Sequence, residues 1–193
     1  MTVQEYVKNA RKAIEQIKDY TQEEVDRLAH ESMEIVYQHA DELLSIAFEE
    51  TDLRTIVKTN SKELDAATMI RERLKEIESI RVNQVDFQKN AAKRVNTMDV
   101  VIAIVAFSDP IVTPLGAFIN AIKGKCALIV CPDPRAKNTV ADTVDFIQDA
   151  LNKYNAPKDL IQVIDNPTLE QYIDLIPASD SIMFCGYQKS AES

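Results

Sequence analysis

Val100-Val101-Ile102-Ala103-Ile104-Val105-Ala106, breaking into Phe107-Ser108-Asp109-Pro110, is the stretch that decides the fold. It is apolar at every position, without the alternation of a half-exposed strand, so it reads as a strand buried on both faces. Three more runs follow: Cys126-Ala127-Leu128-Ile129-Val130-Cys131, then Leu160-Ile161-Gln162-Val163-Ile164, then Ser181-Ile182-Met183-Phe184-Cys185 before Gly186. Helix-length segments separate them, which is the spacing that crossover connections between parallel strands require. The expected class is α/β, a Rossmann-like parallel sheet with helices on both faces. Such sheets bind ligands at the carboxyl ends of their strands. The loops to watch are therefore Phe107-Ser108-Asp109-Pro110, Cys131-Pro132-Asp133-Pro134-Arg135, Asp165-Asn166-Pro167-Thr168 and the one opening with Gly186.

The half of the chain ahead of this region reads as helical. Val3, Val7, Ala10, Ile14 and Ile17 recur at helical spacing. Thr21 with Glu24 makes a capping box, and Val25, Leu28, Ala29, Met33, Val36 and Tyr37 form the apolar face behind it. Asp41 is expected to begin a third helix, and Ser61 to cap another over 62–77. Ser79-Ile80-Arg81-Val82-Asn83-Gln84-Val85 alternates as a half-exposed strand, and a turn near Lys89-Asn90 would return it through Val95. The expected organisation is a helical region over 1–78, a strand hairpin over 79–98, and a partial nucleotide-binding domain over 99–193.

Composition bounds the partners. The chain has 193 residues, a net charge of −9 and a pI near 4.8. That length can bury a substantial core. The acidic balance argues against a nucleic-acid or anionic-membrane surface. No apolar run reaches membrane-spanning length, and no charged-then-apolar leader opens the sequence. Cys126, Cys131 and Cys185 fall on expected core strands without metal-ligand spacing, as in a reducing, cytoplasmic compartment. Only three glycines occur, few for a phosphate-cradling protein, and no Gly-x-Gly-x-x-Gly is present.

Gly116-Ala117-Phe118-Ile119-Asn120-Ala121-Ile122-Lys123-Gly124-Lys125, with the strand after it and Pro134-Arg135-Ala136-Lys137, resembles the cofactor-binding region of the aldehyde dehydrogenase superfamily. The likeness is to its CoA-acylating branch: acetaldehyde and propionaldehyde dehydrogenases, and the aldehyde half of bifunctional aldehyde–alcohol dehydrogenases. That branch ends a strand in a His-Pro-Arg-Ala-Lys type of sequence and later carries an Ala-Pro-x-Asp-Ile-Ile type of segment. Asn155-Ala156-Pro157-Lys158-Asp159-Leu160-Ile161 fills the second place. Ala10-Arg11-Lys12-Ala13, Tyr20-Thr21-Gln22-Glu23-Glu24-Val25-Asp26 and Ala47-Phe48-Glu49-Glu50-Thr51 look like the family's opening helices. The likeness covers most of the chain and is weakest over 55–98. It implies an aldehyde dehydrogenase-like fold truncated before the catalytic domain, with NAD as the cofactor to expect, bound weakly or not at all.

The resemblance assigns expectations to the loops. Phe107, Ser108, Asp109 and Pro110 stand where the family carries an Asn that donates to the oxyanion of acyl transfer. Asp109 takes that position, and an ionised carboxylate only accepts hydrogen bonds, so the role is lost. The plainer reading is a turn before Pro110. Cys131, Asp133 and Arg135 lie at the end of the second strand, beside the expected adenosine ribose. Asp133 reads either as a helix N-cap ahead of Pro134 or as an acceptor for ribose hydroxyls that disfavours NADP. Arg135 and Lys137 could meet a phosphate. Gly186 precedes Tyr187 where the family has a second glycine, which would crowd a close backbone approach.

No catalytic residue and no metal ligand is assigned. The family's nucleophilic Cys belongs to a separate domain, and Cys185 reads as a structural thiol. His30 and His39 read as surface or satisfied core residues. Three functions remain open: a cofactor-domain relative, inactive alone, that binds NAD weakly or not at all; a structural or interaction subunit docking on a full-length homologue; or the cofactor half of a split CoA-acylating enzyme. A homo-oligomer or a complex with a full-length homologue is expected, with no nucleic acid and no membrane.

Overall fold

A computed structural model of the chain describes residues 1–51 and 99–185. The helix expected over 62–77, the hairpin over 79–98, the loop opening with Gly186 and the side chain of Cys185 lie outside the described residues. Three helices come first: α1 (Val3–Ile17), α2 (Gln22–Gln38) and α3 (Ala40–Glu50). Then follow β1 (Val100–Val105), α4 (Val112–Lys123), β2 (Ala127–Pro132), α5 (Lys137–Lys153), β3 (Ile161–Val163), α6 (Leu169–Ala178) and β4 (Ser181–Cys185).

The helix starts follow local chemistry. The Thr2 and Thr21 hydroxyls accept the amides of Glu5 and Glu24, and both glutamates reach back to the cap backbone. Thr168 and Gln171 make the same box at α6. Each such box satisfies amides that the helix itself leaves open. α3 starts at Ala40 rather than Asp41, because only His39 separates it from α2. The His39 ring stacks on Phe146 of α5 at 4.0 Å, and its Nδ1 lies 3.0 Å from the Glu42 carboxylate.

The sheet has the order β3-β2-β1-β4, with every pair parallel. Val100 stands opposite Ala127, Ile102 opposite Ile182, and Leu128 opposite Ile161. The chain steps from β1 outward to β3 and then returns to the far side of β1 to lay down β4. Right-handed crossovers place helices on opposite faces when the direction of travel reverses. α4 and α5 accordingly cover one face, together with α2 and α3, over Val101, Ala103, Val105, Leu128 and Val130. α6 and much of α1 cover the other, over Val100, Ile102, Ala127, Ile129 and Cys131. Alternate residues of β1 and of β2 thus enter two separate apolar clusters, the reason these two strands are apolar at nearly every position.

The ends of β1, β2 and β3 differ from the apolar runs by one residue each: β1 stops before Ala106, β2 extends to Pro132, and β3 stops before Ile164. Cys126 sits just ahead of β2 and is half-buried, and Leu160 closes a 3₁₀ turn before β3. At the amino edge of the sheet, Asp180 accepts the Val100 amide at 2.7 Å and pairs with Arg11 of α1 at 2.7 Å. That carboxylate joins β1, α1 and the start of β4.

Candidate functional site

The reversal in strand order falls between β1 and β4, so the crevice opens at the carboxyl end of β1. There Ala106 begins a tight turn: its carbonyl accepts the Asp109 amide at 3.3 Å, which puts Phe107 and Ser108 at the corners. Pro110 is buried behind the turn. Asp109 serves a turn here, the plainer of its two expected readings. Nothing about an Asp at this place can donate to an oxyanion. α4 follows with no side-chain cap on its first turn.

The β2 loop is drawn toward the same point, since the Asp133 amide donates to the Val105 carbonyl at 2.9 Å. Asp133 caps the turn that opens with Pro134, accepting the Arg135 amide at 2.9 Å. The same carboxylate also takes the Arg135 side chain side-on, with Nε at 3.0 Å and Nη2 at 2.7 Å. These bonds, the side-chain bond first, hold the Asp133 carboxyl below the usual carboxylate range and raise the Arg135 guanidinium. Arg135 then lies flat over the Phe107 ring, 3.6 Å from its centroid. Asp133, Arg135 and Phe107 therefore form one group that spans the ends of β1 and β2. Cation–ring contacts of this kind are worth about 0.5–1 kcal/mol when exposed.

Beneath this group, on the α1 and α6 face, Cys131 is fully buried and its thiol is pushed up to about 12 by burial. It packs the floor and stays protonated. Tyr172 of α6 is also pushed up to about 12, by burial first and then by its neighbours Cys131 and Asp133. Tyr6 of α1 is raised by burial and by Asp165 of the third loop. Of the expected site residues, Phe107, Asp133 and Arg135 come together, Cys131 lies below them, Ser108, Asp109 and Pro110 shape the turn, and Gly186 is outside the described residues.

One residue escaped the sequence reading. The N-cap of α5 is Ala136, which has no side-chain acceptor. Glu50, at the end of α3, supplies the cap instead. Its carboxylate accepts the Asn138 amide at 2.7 Å, the Thr139 amide at 2.8 Å and the Thr139 hydroxyl at 2.7 Å. The missing cap at Ala136 is the local signal that an acceptor must arrive from elsewhere. The carboxylate also fills the helix end next to the Asp133 loop that an anion would otherwise use.

Chemically, the described loops offer an aromatic ring, a guanidinium and a carboxylate, but no glycine in 106–111, 132–136 or 164–168. A glycine-free set of loops gives no close backbone approach for a phosphate. Among the described residues no cluster of acidic, His or Cys side chains has metal-binding geometry. Nor is any described helix long and apolar enough to cross a membrane.

Comparison with known proteins places this arrangement. The chain is 33% identical over 183 residues to a sulfoacetaldehyde dehydrogenase of an Acholeplasma species, an alignment covering 94% of this chain and 38% of that protein. It is 27% identical to the acetylating succinate-semialdehyde dehydrogenase of Clostridium kluyveri, over 96% of this chain and 41% of the relative. It thus spans about two-fifths of the length of these relatives. The propionaldehyde dehydrogenase from the fucose-utilisation microcompartment of Clostridium phytofermentans superimposes with a TM-score of 0.73 at 15% identity, over 99% of this chain and 44% of that one. The aldehyde dehydrogenase family profile matches residues 1–192, and the chain belongs to the aldehyde dehydrogenase family.

Proposed function

We propose that these 193 residues are the cofactor side of a CoA-acylating aldehyde dehydrogenase-like oxidoreductase. They hold the adenosine end of a nucleotide such as NAD and do not carry out aldehyde oxidation unaided. The observation that carries this reading is the Asp133–Arg135–Phe107 group at the carboxyl ends of β1 and β2. It sits where open α/β sheets take their ligands. In this reading residues 99–193 bind the nucleotide and the helices of 1–78 brace them.

The oxidation itself needs a thiolate nucleophile and oxyanion donors. Cys131 is buried and protonated, and the Cys126 thiol is raised by burial. Asp109 repels a developing oxyanion. NAD, when bound, would supply the hydride acceptor; the residues present bind and orient its adenosine. The test is CoA-dependent oxidation of acetaldehyde, propionaldehyde or sulfoacetaldehyde by the purified chain with NAD. No NADH above a boiled control is expected. NADH formation that disappears on Cys185→Ala would sink the reading.

An apolar surface favours a second role, as an interaction subunit or as half of a split enzyme. Leu169, Ile173 and Ile176 lie exposed along one stripe of α6, and Ile182 and Phe184 are about half exposed on β4. Among the described residues β4 is also an edge strand. Such a surface needs a cover, either a second copy or a full-length homologue. A monomer by light scattering at high concentration that also fails to bind a full-length homologue would count against it.

A further inference from the structure

We propose that Arg135 makes this site prefer an adenosine whose ribose carries a phosphate over one whose ribose hydroxyls are free. The inference rests on the adenosine-site reading above and goes beyond it. Taken as a lone carboxylate, Asp133 would select free hydroxyls and repel a phosphate. In the folded chain it is not alone. Its two oxygens are engaged by the backbone amide, Nε and Nη2 of Arg135. Ribose hydroxyls would have to compete with a charge-assisted, two-point pair for the same lone pairs.

What the group offers outward is the far edge of the guanidinium. Arginine has five N–H donors in a planar fork. Nε–H and one Nη2–H point at Asp133, so three donors face the other way. Among the described residues they have no partner, and the side chain is 62% exposed. The plane is held in place from two directions, by Asp133 at its edge and by Phe107 on its face. A guanidinium held in this way presents parallel N–H groups that match two oxygens of a phosphate. Its outer face remains for a purine to stack on, as bases do on arginine planes.

The charge balance follows from distance. A phosphate on the outer edge sits about 4 Å from the guanidinium centre, and the Asp133 carboxylate lies about as far beyond it. Coulomb repulsion across twice the distance is about half the attraction, so the phosphate is held. Lys137, in the first turn of α5, adds a second cation close by in the chain. The ligand class is therefore an adenosine phosphorylated on its ribose. A 2′-phosphate and a 3′-phosphate share this chemistry; the first belongs to NADP and the second to CoA.

Calorimetric titration of the full chain with four nucleotides separates the possibilities. They are 5′-AMP, ADP, adenosine 2′,5′-bisphosphate and adenosine 3′,5′-bisphosphate. ADP has two phosphates like the bisphosphates but leaves the ribose free, so it controls for charge. One bisphosphate at least is expected to bind ten- to a hundredfold more tightly than ADP, the effect of about 1.5–3 kcal/mol for a charged hydrogen bond. The 2′ or 3′ isomer that gains identifies the source. Arg135→Gln should erase the gain and, because the side chain is exposed and the Asp133 cap on the backbone amide is kept, melt within a few degrees of the wild type. ADP binding as tightly as both bisphosphates overturns the role of Arg135, as does a preference that survives Arg135→Gln. If none of the four binds at millimolar concentration, the adenosine-site reading itself falls.

Discussion

Replacing Glu50 by Ala should destabilise the fold far more than its position on a helix end suggests. The carboxylate is the only side-chain cap that α5 receives in the described structure, because Ala136 cannot supply one. Its loss strands the amides of Asn138 and Thr139 and the Thr139 hydroxyl. Thr139 is fully buried, so water cannot replace the lost acceptor at its two groups without opening the joint between α3 and α5. A missing N-cap costs about 0.5–2 kcal/mol. A buried polar group left unsatisfied costs about 1–3 kcal/mol. Partial relaxation at the edge of α3 makes these add only in part, for a total of about 2–4 kcal/mol. In a chain of this size each kcal/mol shifts the melting temperature by about 2–4 °C, so the midpoint should fall by roughly 5–15 °C. Glu50→Gln keeps one carbonyl acceptor but turns an NH₂ toward an amide, and should lose about half as much. Thermal melts followed by circular dichroism measure all three proteins. In a cycle with Thr139→Ala the two losses should be non-additive by about 1 kcal/mol. An Ala variant that melts within a degree of the wild type, or strict additivity in the cycle, would refute the capping argument.

Two further outcomes follow from the acidic groups and the buried thiol. Asp133 and Asp180 are both held below the ordinary value of 3.8, chiefly by Arg135 and Arg11. Groups depressed on folding stabilise the protein above their unfolded value and lose that contribution as pH falls through the folded one. The melting temperature should be level from neutral pH down to about 5 and drop below about 4, and Asp180→Asn should flatten the drop. A wild-type profile that stays level to pH 2 would contradict this. Cys131, pushed up to about 12 by burial, should resist a thiol reagent at pH 8 until the chain is unfolded. Peptide mapping by mass spectrometry reads this directly, and labelling at the rate of a free thiol would overturn the placement of Cys131 beneath the site.

How much was legible differs along the chain, and the range of each interaction explains why. Burial on both faces requires a strand to be apolar at every position, so β1 and β2 stand out in the sequence, whereas the order that returns the chain to lay β4 beside β1 is decided by the fold. The capping box at Thr21 was legible as well, because both partners lie within one helical turn. The sequence leaves Asp133 as either an N-cap or a ribose acceptor, and in the fold it caps the turn that opens with Pro134. Its pairing with Arg135 was not read, though only two residues separate them. Whether that side chain turns back to Asp133 or outward depends on the Phe107 ring, which arrives from the end of another strand. Glu50 lies further still from the helix that it caps. Sequence fixed the layering of this protein because periodicity and local hydrogen bonds are written in neighbouring residues. The pairing of Asp133 with Arg135, the shelf of Phe107 and the Glu50 cap were decided by the tertiary structure, because each closes only after the sheet has brought distant loops to one edge.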